Sequence, residues 1–378
     1  LIIQPHKLII KNLIYNDFIV IINFKNKIIE NKTFIFNLLI IETFSHVFYK
    51  VSYDNFLLRD FEMNIQILNN IPIDLYRTEL ESPFNTLLIE IFNLSSPDGY
   101  KAIIYIIFQI TLILICKNLA FLNKHSSIFL LGGWLVAISW WVGFVENISV
   151  LLMILYFKNY IKGDYKRFYI YLFLLGINHF GHALFSTIVF LILINFDKLF
   201  QSISTLSLSL FVLSLYKKYI INFGGRGRFR FIFNQNTLDD GTSFISNNLQ
   251  EFYWSGFMGI SFILLFIILV SDYETKINYI GSLVIATIGA AITTDSTRNF
   301  SILVVPLLLH LIMEFKQYRF ENIQYKNYLL FTAFISNLIV GVHFVHGQVW
   351  KNSPNVETES IYNFFARMVN WLMKDIWT

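Results

Sequence analysis

The chain has 378 residues, 55% of them hydrophobic and only 14% charged, with a mean hydropathy of +0.56 and a net charge of +4. A soluble domain carries about 25% charge, so this much apolar surface points to lipid as the solvent, and no stretch is long or polar enough to be an independent soluble enzyme. The single cysteine, Cys116, excludes an intrachain disulfide and argues against thiol catalysis or a cysteine-based metal centre. The 40 Phe, with abundant Ile, Asn and Lys, read as the codon bias of an AT-rich genome rather than as an aromatic function.

In chain order, residues 1–32 read as a cytoplasmic or interfacial segment, with 8–24 a weak helix interrupted by Lys11, Asn16 and Asp17. A membrane helix needs roughly 17–25 mostly apolar residues. Apolar runs predict spans at 33–51, 100–116, 127–141, 144–157, 168–196, 199–216, 254–271, 279–294, 299–315 and 328–346. The expected fold is therefore all-α, a polytopic bundle of about ten to twelve spans forming one integral membrane domain over 1–378. A long outer loop, 52–98, follows the first span, and its apolar residues at 84–92 recur at helical spacing, as in a helix lying along the surface. A basic loop covers 217–252, and the tail, 347–378, is amphipathic with Trp350, Trp371 and Trp377 suited to the interface.

Orientation comes from Lys and Arg in short loops. Four clusters carry them: Lys25, Lys27 and Lys32; Lys117 and Lys124; Lys158, Lys162, Lys166 and Arg167; and Lys316, Arg319 and Lys326. All four share the cytoplasmic side only if the chain crosses an even number of times between 167 and 316. Breaking 168–196 at Gly176–His182 supplies that parity, and Gly176, Asn178, Gly181 and His182 weaken a helix there. The reading puts 52–98, 217–252, Asp295 and the tail outside, at the cost of leaving Lys217, Lys218, Arg226, Arg228 and Arg230 outside as well.

Ionisable groups in or beside spans are functional candidates by default. Asp54 and Asp60 open the first loop, where an interfacial carboxylate is placed to act as a general base, the plain alternative being a solvated loop neutralised by Arg59. Glu146 falls between two short spans, facing the bundle interior or complementing the dipole of the next helix. Asn178, His179 and His182 fall in the break, where hydrogen bonding to an unwound backbone competes with substrate contact, and two His alone make a weak metal site. Between two late spans, Thr294 to Asn299 hold Asp295 and Arg298; a turn needs Asp-Ser-Thr but not an Arg, whose fork suits a phosphate. An Asp295–Arg298 ion pair is the alternative. Arg226 and Arg228 alternate with Gly in the basic loop, which suits anionic lipid or a lipid diphosphate better than nucleic acid. His343 and His346 read as interface residues.

The pattern resembles the C-type (GT-C) glycosyltransferase superfold of multi-span enzymes that use lipid-phosphate-linked sugars. Four features carry the resemblance: the acids from Asp54 to Glu62 after the first span; the outer turn Trp140-Trp141-Val-Gly-Phe-Val-Glu146-Asn147; the broken segment Gly176-Ile-Asn-His179-Phe-Gly-His182; and Asp295-Ser-Thr-Arg298 before a span containing Pro306. The resemblance implies that Asp54 or Asp60 is the base, Arg298 a phosphate clamp and Arg226 or Arg228 a second clamp, with Glu146, His179, His182 and Asp295 around the substrate. It implies transfer of a sugar from a polyprenyl-phosphate donor to a glycan, lipid or protein, with membrane lipid as the other partner, no nucleic acid, and no cofactor beyond a divalent cation. The setting it implies is a bacterial inner membrane. An O-antigen-type polysaccharide polymerase or ligase and a lipid or polysaccharide transporter share parts of this pattern.

Overall fold

A computed structural model describes residues 31–48, 51–54, 56–69, 83–140, 142, 145–194, 196–221, 235–293, 296–318, 323–339 and 358–360. Among the described residues the protein is helical apart from one short antiparallel ladder, β1 (Ser52–Asp54) with β2 (Thr358–Ser360). Helix α1 (31–43) runs into a π-helical turn at Phe44–Phe48. The first loop then holds β1, α2 (Phe56–Leu68) and α3 (Pro83–Ile91), so the helical spacing at 84–92 does form a helix. A 23-residue helix, α4 (Pro97–Leu119), follows. The predicted span 127–141 is split at 130–132 into α5 (Ser126–Phe129) and α6 (Gly133–Trp140).

Helix α7 (Glu146–Ile161) precedes α8 (Tyr165–Asn178) and α9 (Phe180–Leu193), which fill the run 168–196. The break falls where Gly176–His182 predicts it, and His179 alone is extended, at φ −157° and ψ 101°. The two helices form a hairpin, because Phe190 of α9 returns to Phe168 of α8 with ring centroids 5.8 Å apart. Each has 14 residues. That is about 21 Å of helix, shorter than a hydrocarbon core of about 30 Å.

Helix α10 (Leu199–Ile221) runs parallel to α8: Lys198, just before it, caps the Tyr165 ring at 4.5 Å, and Ser209 Oγ donates to the Phe173 carbonyl at 3.1 Å. Next come α11 (Gln235–Asn247), α12 (Leu249–Phe257) and α13 (Ile260–Val270). The predicted span 254–271 is not one straight helix, since α12 and α13 meet at 95°. Met258 adopts φ 47°, ψ −133°, a strained conformation for a residue with a side chain. Asn337 holds the bend, accepting from the Gly259 N–H and donating to the Leu131 carbonyl at 2.7 Å. A Cβ on Gly259 would stand 1.9 Å from the Ala333 carbonyl oxygen, so the bend also needs a residue without one.

Asp272 caps α14 (Tyr273–Ala291), accepting from the Thr275 N–H at 2.8 Å, and that bond holds its carboxyl below the usual range. The last helices are α15 (Ser296–Leu303), α16 (Val305–Gln317) and α17 (Ile323–Ile339). The predicted span 299–315 is bent by 42° between α15 and α16, where Pro306 in the first turn of α16 has no N–H to continue the ladder.

Among the described residues, Pro97–Leu119 and Phe196–Tyr216 are each long and apolar enough to cross a membrane, and the bent pairs α12–α13 and α15–α16 raise that number to four. Large apolar side chains stand exposed at helical spacing on several helices: Ile203, Phe211 and Leu215 on α10, and Ile277, Ile280, Val284 and Ile288 on α14. Such stripes on the outside of a bundle are what lipid contact requires.

Three contacts define one end of the bundle. Lys158 Nζ donates to Asn118 Oδ1 at 2.9 Å, Lys316 Nζ to the Phe121 carbonyl at 3.4 Å, and Lys326 Nζ to His125 Nε2 at 3.0 Å. The lysine clusters after α4, at the end of α7 and on either side of the α16–α17 connection therefore lie together. The other end receives the first loop: Phe61 of α2 packs on Tyr100 in the first turn of α4, with centroids 5.2 Å apart. There too Tyr216, near the end of α10, bonds Thr86 of α3 at 2.8 Å.

Candidate functional site

Helix α15 is polar in five of its eight residues, Ser296, Thr297, Arg298, Asn299 and Ser301, yet all eight are buried. It packs among α6, α7, α9, α12, α14 and α16. Buried polar groups need partners, and α15 finds them on the two short-helix junctions beside it.

Arg298 Nε lies 3.4 Å from Glu146 Oε1, and the two side chains are 10% and 5% exposed. Glu146 opens α7, where the positive end of the helix dipole also favours a carboxylate. Removing two charges from water costs several kcal/mol per ion, so the pair is held by the fold rather than being a source of its stability. Among the described residues, Glu146 Oε2 accepts no hydrogen bond.

One turn further along α7, Ser149 Oγ receives Asn178 Nδ2 at 3.0 Å and meets His182 Nδ1 at 3.0 Å. Asn178 Nδ2 also reaches the Val145 carbonyl at 2.9 Å. His182 Nε2 stands 2.9 Å from Asn299 Oδ1, and Asn299 Nδ2 donates to Thr293 Oγ1 at 3.2 Å. Asn299 Oδ1 can only accept, so His182 Nε2 carries a hydrogen. Ser149 is left to donate to Nδ1 in the neutral ring. The chain Thr293–Asn299–His182–Ser149–Asn178 thus ties the end of α14, α15, the α8–α9 turn and α7 into one network.

His179 has a local task. Its Nδ1 accepts from the His182 N–H at 3.0 Å and caps α9. The His179 and His182 rings stack with centroids 3.6 Å apart. With both His182 nitrogens and His179 Nδ1 engaged by protein groups, the pair is built as a turn-and-network element rather than a metal site. Among the described residues, no three His, Cys, Asp or Glu side chains gather as metal ligands.

No family model, curated protein or solved structure matches the chain. What the site can do therefore rests on its own geometry. Of the residues singled out from sequence, Glu146, Asn178, His179, His182 and Arg298 converge. Arg298 pairs with Glu146, while Asp295 lies outside the described residues, as do Arg226, Arg228, His343, His346, Trp350, Trp371, Trp377 and the segment 8–24. Asp54 and Asp60 are placed by backbone only, at the end of β1 and within α2. Ser149 and Thr293 were not singled out; their signal was a hydroxyl inside or beside an apolar run. The site lies opposite the lysine end, because Lys158 is twelve residues along α7 from Glu146, about 18 Å of helix.

Proposed function

We propose that the chain is a multi-pass membrane glycosyltransferase of the GT-C kind, moving a sugar from a polyprenyl-phosphate donor to a hydroxyl acceptor at the end of the bundle away from the lysines. The observation that carries this reading is the buried contact between Glu146 and Arg298. It joins two of the four features behind the resemblance, and a third, the break at His179, adjoins it through His182 and Asn299. A carboxylate and a guanidinium in one desolvated site match the needs of the reaction: a proton acceptor for the attacking hydroxyl and a cation for the departing phosphate. The first-loop segment carrying Asp54 and Asp60, to which the resemblance assigns the base, enters from the same end. In this reading helices that fall short of the span length, such as α8 and α9, cross as a recessed hairpin, and the membrane is a bacterial inner membrane.

The test is transfer from polyprenyl-phosphate hexoses and N-acetylhexosamines by the purified full chain, with membrane lipid extract as acceptor. Turnover by the wild type and its loss in Arg298→Lys, which keeps the charge but not the fork, are the expected results. No transfer from any donor would count against an enzyme. A second reading, a transporter for a polar lipid, is favoured by the 95° break between α12 and α13 beside α15, since transporter sites are built at broken helices. Movement of an intact polyprenyl-phosphate sugar across proteoliposomes without transfer would select it.

A further inference from the structure

We propose that Glu146 is the group that takes the acceptor's proton, and that it is released for this task only when a donor phosphate occupies Arg298. The inference rests on the glycosyltransferase reading and deepens it. Three observations support it. Glu146 Oε2 is buried and accepts no hydrogen bond among the described residues, while its neighbour Oε1 faces Arg298 Nε at 3.4 Å. Polar groups this deep are normally satisfied, and among the described residues this acceptor oxygen has no protein donor. The neighbouring polar side chains, Ser149, Asn178 and His182, bond one another, and none of those bonds reaches Oε2. Glu146 also stands at the first turn of α7 and Arg298 in the first turn of α15, so both face the same end of the bundle.

The chemistry follows from the pairing. With no donor bound, the guanidinium beside Oε1 offsets the carboxylate's charge. A donor phosphate offers Arg298 a stronger bidentate partner. Glu146 is then a buried anion without its counter-charge, an unfavourable state that accepting a proton removes. The acceptor hydroxyl gives its proton to Glu146 Oε2, and its oxygen forms a bond to the sugar C1. The C1–O(phosphate) bond breaks from the opposite side, and its electron pair leaves with the polyprenyl phosphate, held by Arg298. The configuration at C1 inverts. The arrangement keeps the base occupied until the donor is in place, which protects the donor from water.

The experiment compares the full-length wild type with Glu146→Gln and Glu146→Asp in detergent. Affinity for a short-chain polyprenyl phosphate is measured alongside turnover of its sugar-linked form. Glu146→Gln should lose about 10²-fold or more in turnover, the scale of a general base, while binding polyprenyl phosphate as tightly as the wild type or tighter, because Arg298 is no longer shared. Glu146→Asp should lose at least about tenfold in turnover with its binding kept, and it carries the test alone if the Gln variant does not fold. A fall of less than tenfold in either folded variant overturns the proposal. So does a parallel loss of binding and turnover, which a purely structural pair would give. If the wild type itself transfers nothing, the glycosyltransferase reading fails first, and that arm tells the two failures apart.

Discussion

Lys158, Lys316 and Lys326 each reach a polar atom on the 118–125 segment, on side chains that stay half-buried or exposed. At the other end Glu146, Arg298, His182 and Asn299 are buried, and each is bound to a different helix. The charges of the first set stay near solvent; those of the second have been taken out of it, at a cost in desolvation, and buried charges of that kind are functional candidates. The contrast also makes the bundle asymmetric. α4 and α10 are single helices of 23 residues, whereas α7, α8 and α9 have 14 to 16 residues and begin or end at the buried network, which the eight-residue α15 enters.

The largest test of this contrast is all-or-none. Asn93, exposed in the turn after α3, belongs to the site end, and Lys162, exposed just after α7, to the lysine end. Because Cys116 is buried, the chain is nearly silent to thiol reagents. Asn93→Cys and Lys162→Cys should therefore be labelled by an impermeant maleimide from opposite sides of sealed vesicles. Labelling of both from one side would remove the two-ended description altogether.

The next effect is on stability. Arg298→Ala leaves Glu146 as an uncompensated buried charge and should cost about 3–5 kcal/mol, measured by denaturant unfolding in mixed micelles. The double variant Glu146→Leu/Arg298→Met should recover most of that loss while abolishing function, since a well-packed apolar pair replaces a buried ion pair at little net cost. Smaller again is the effect of crowding the helices that seat α15. A Cβ on Gly133 would lie 1.6 Å from the Ser255 carbonyl oxygen, so α6 and α12 pack backbone to backbone. Gly133→Ala should cost about 1–3 kcal/mol as an overpacking strain and should lower activity as α15 shifts.

The parts of this arrangement differ in how far local sequence encodes them. The break at His179 was legible because Gly176, Asn178, Gly181 and His182 interrupt a run that is otherwise mostly apolar. The break at Met258 was not read, although Gly256 and Gly259 flank it, because its geometry is held by Asn337, a residue remote in the chain. Glu146 and Arg298 were each legible as charges near membrane spans, but their contact was not, since pairing depends on how α7 and α15 pack. Asn299 was read only as part of a turn, and its bond to His182 gives it a place in the network. Ser149 escaped notice because a single hydroxyl in an apolar helix normally bonds its own backbone, and only the tertiary fold sets Asn178 and His182 against it.

The smallest effect belongs to the lysine end and bears most directly on the contrast. Lys158→Ala removes a bond to Asn118 Oδ1 from a half-buried site. Water can take the place of the ammonium there, and the net worth of such a bond is about 0.5–1.5 kcal/mol before that replacement. The loss should therefore stay below about 1 kcal/mol, and the coupling between Lys158→Ala and Asn118→Ala should be no more than about 0.5 kcal/mol. Both are measured by the same micelle unfolding used for Arg298. Orientation should respond instead, because positive charge in short loops sets topology: removing Lys158 together with Lys162, Lys166 and Arg167 should produce a fraction of chains inserted the other way round, read by reversed labelling at Asn93→Cys. If Lys158→Ala alone cost as much as Arg298→Ala, polar groups at both ends would be bearing the fold in the same manner, and burial of the Glu146–Arg298 pair would no longer single out a site.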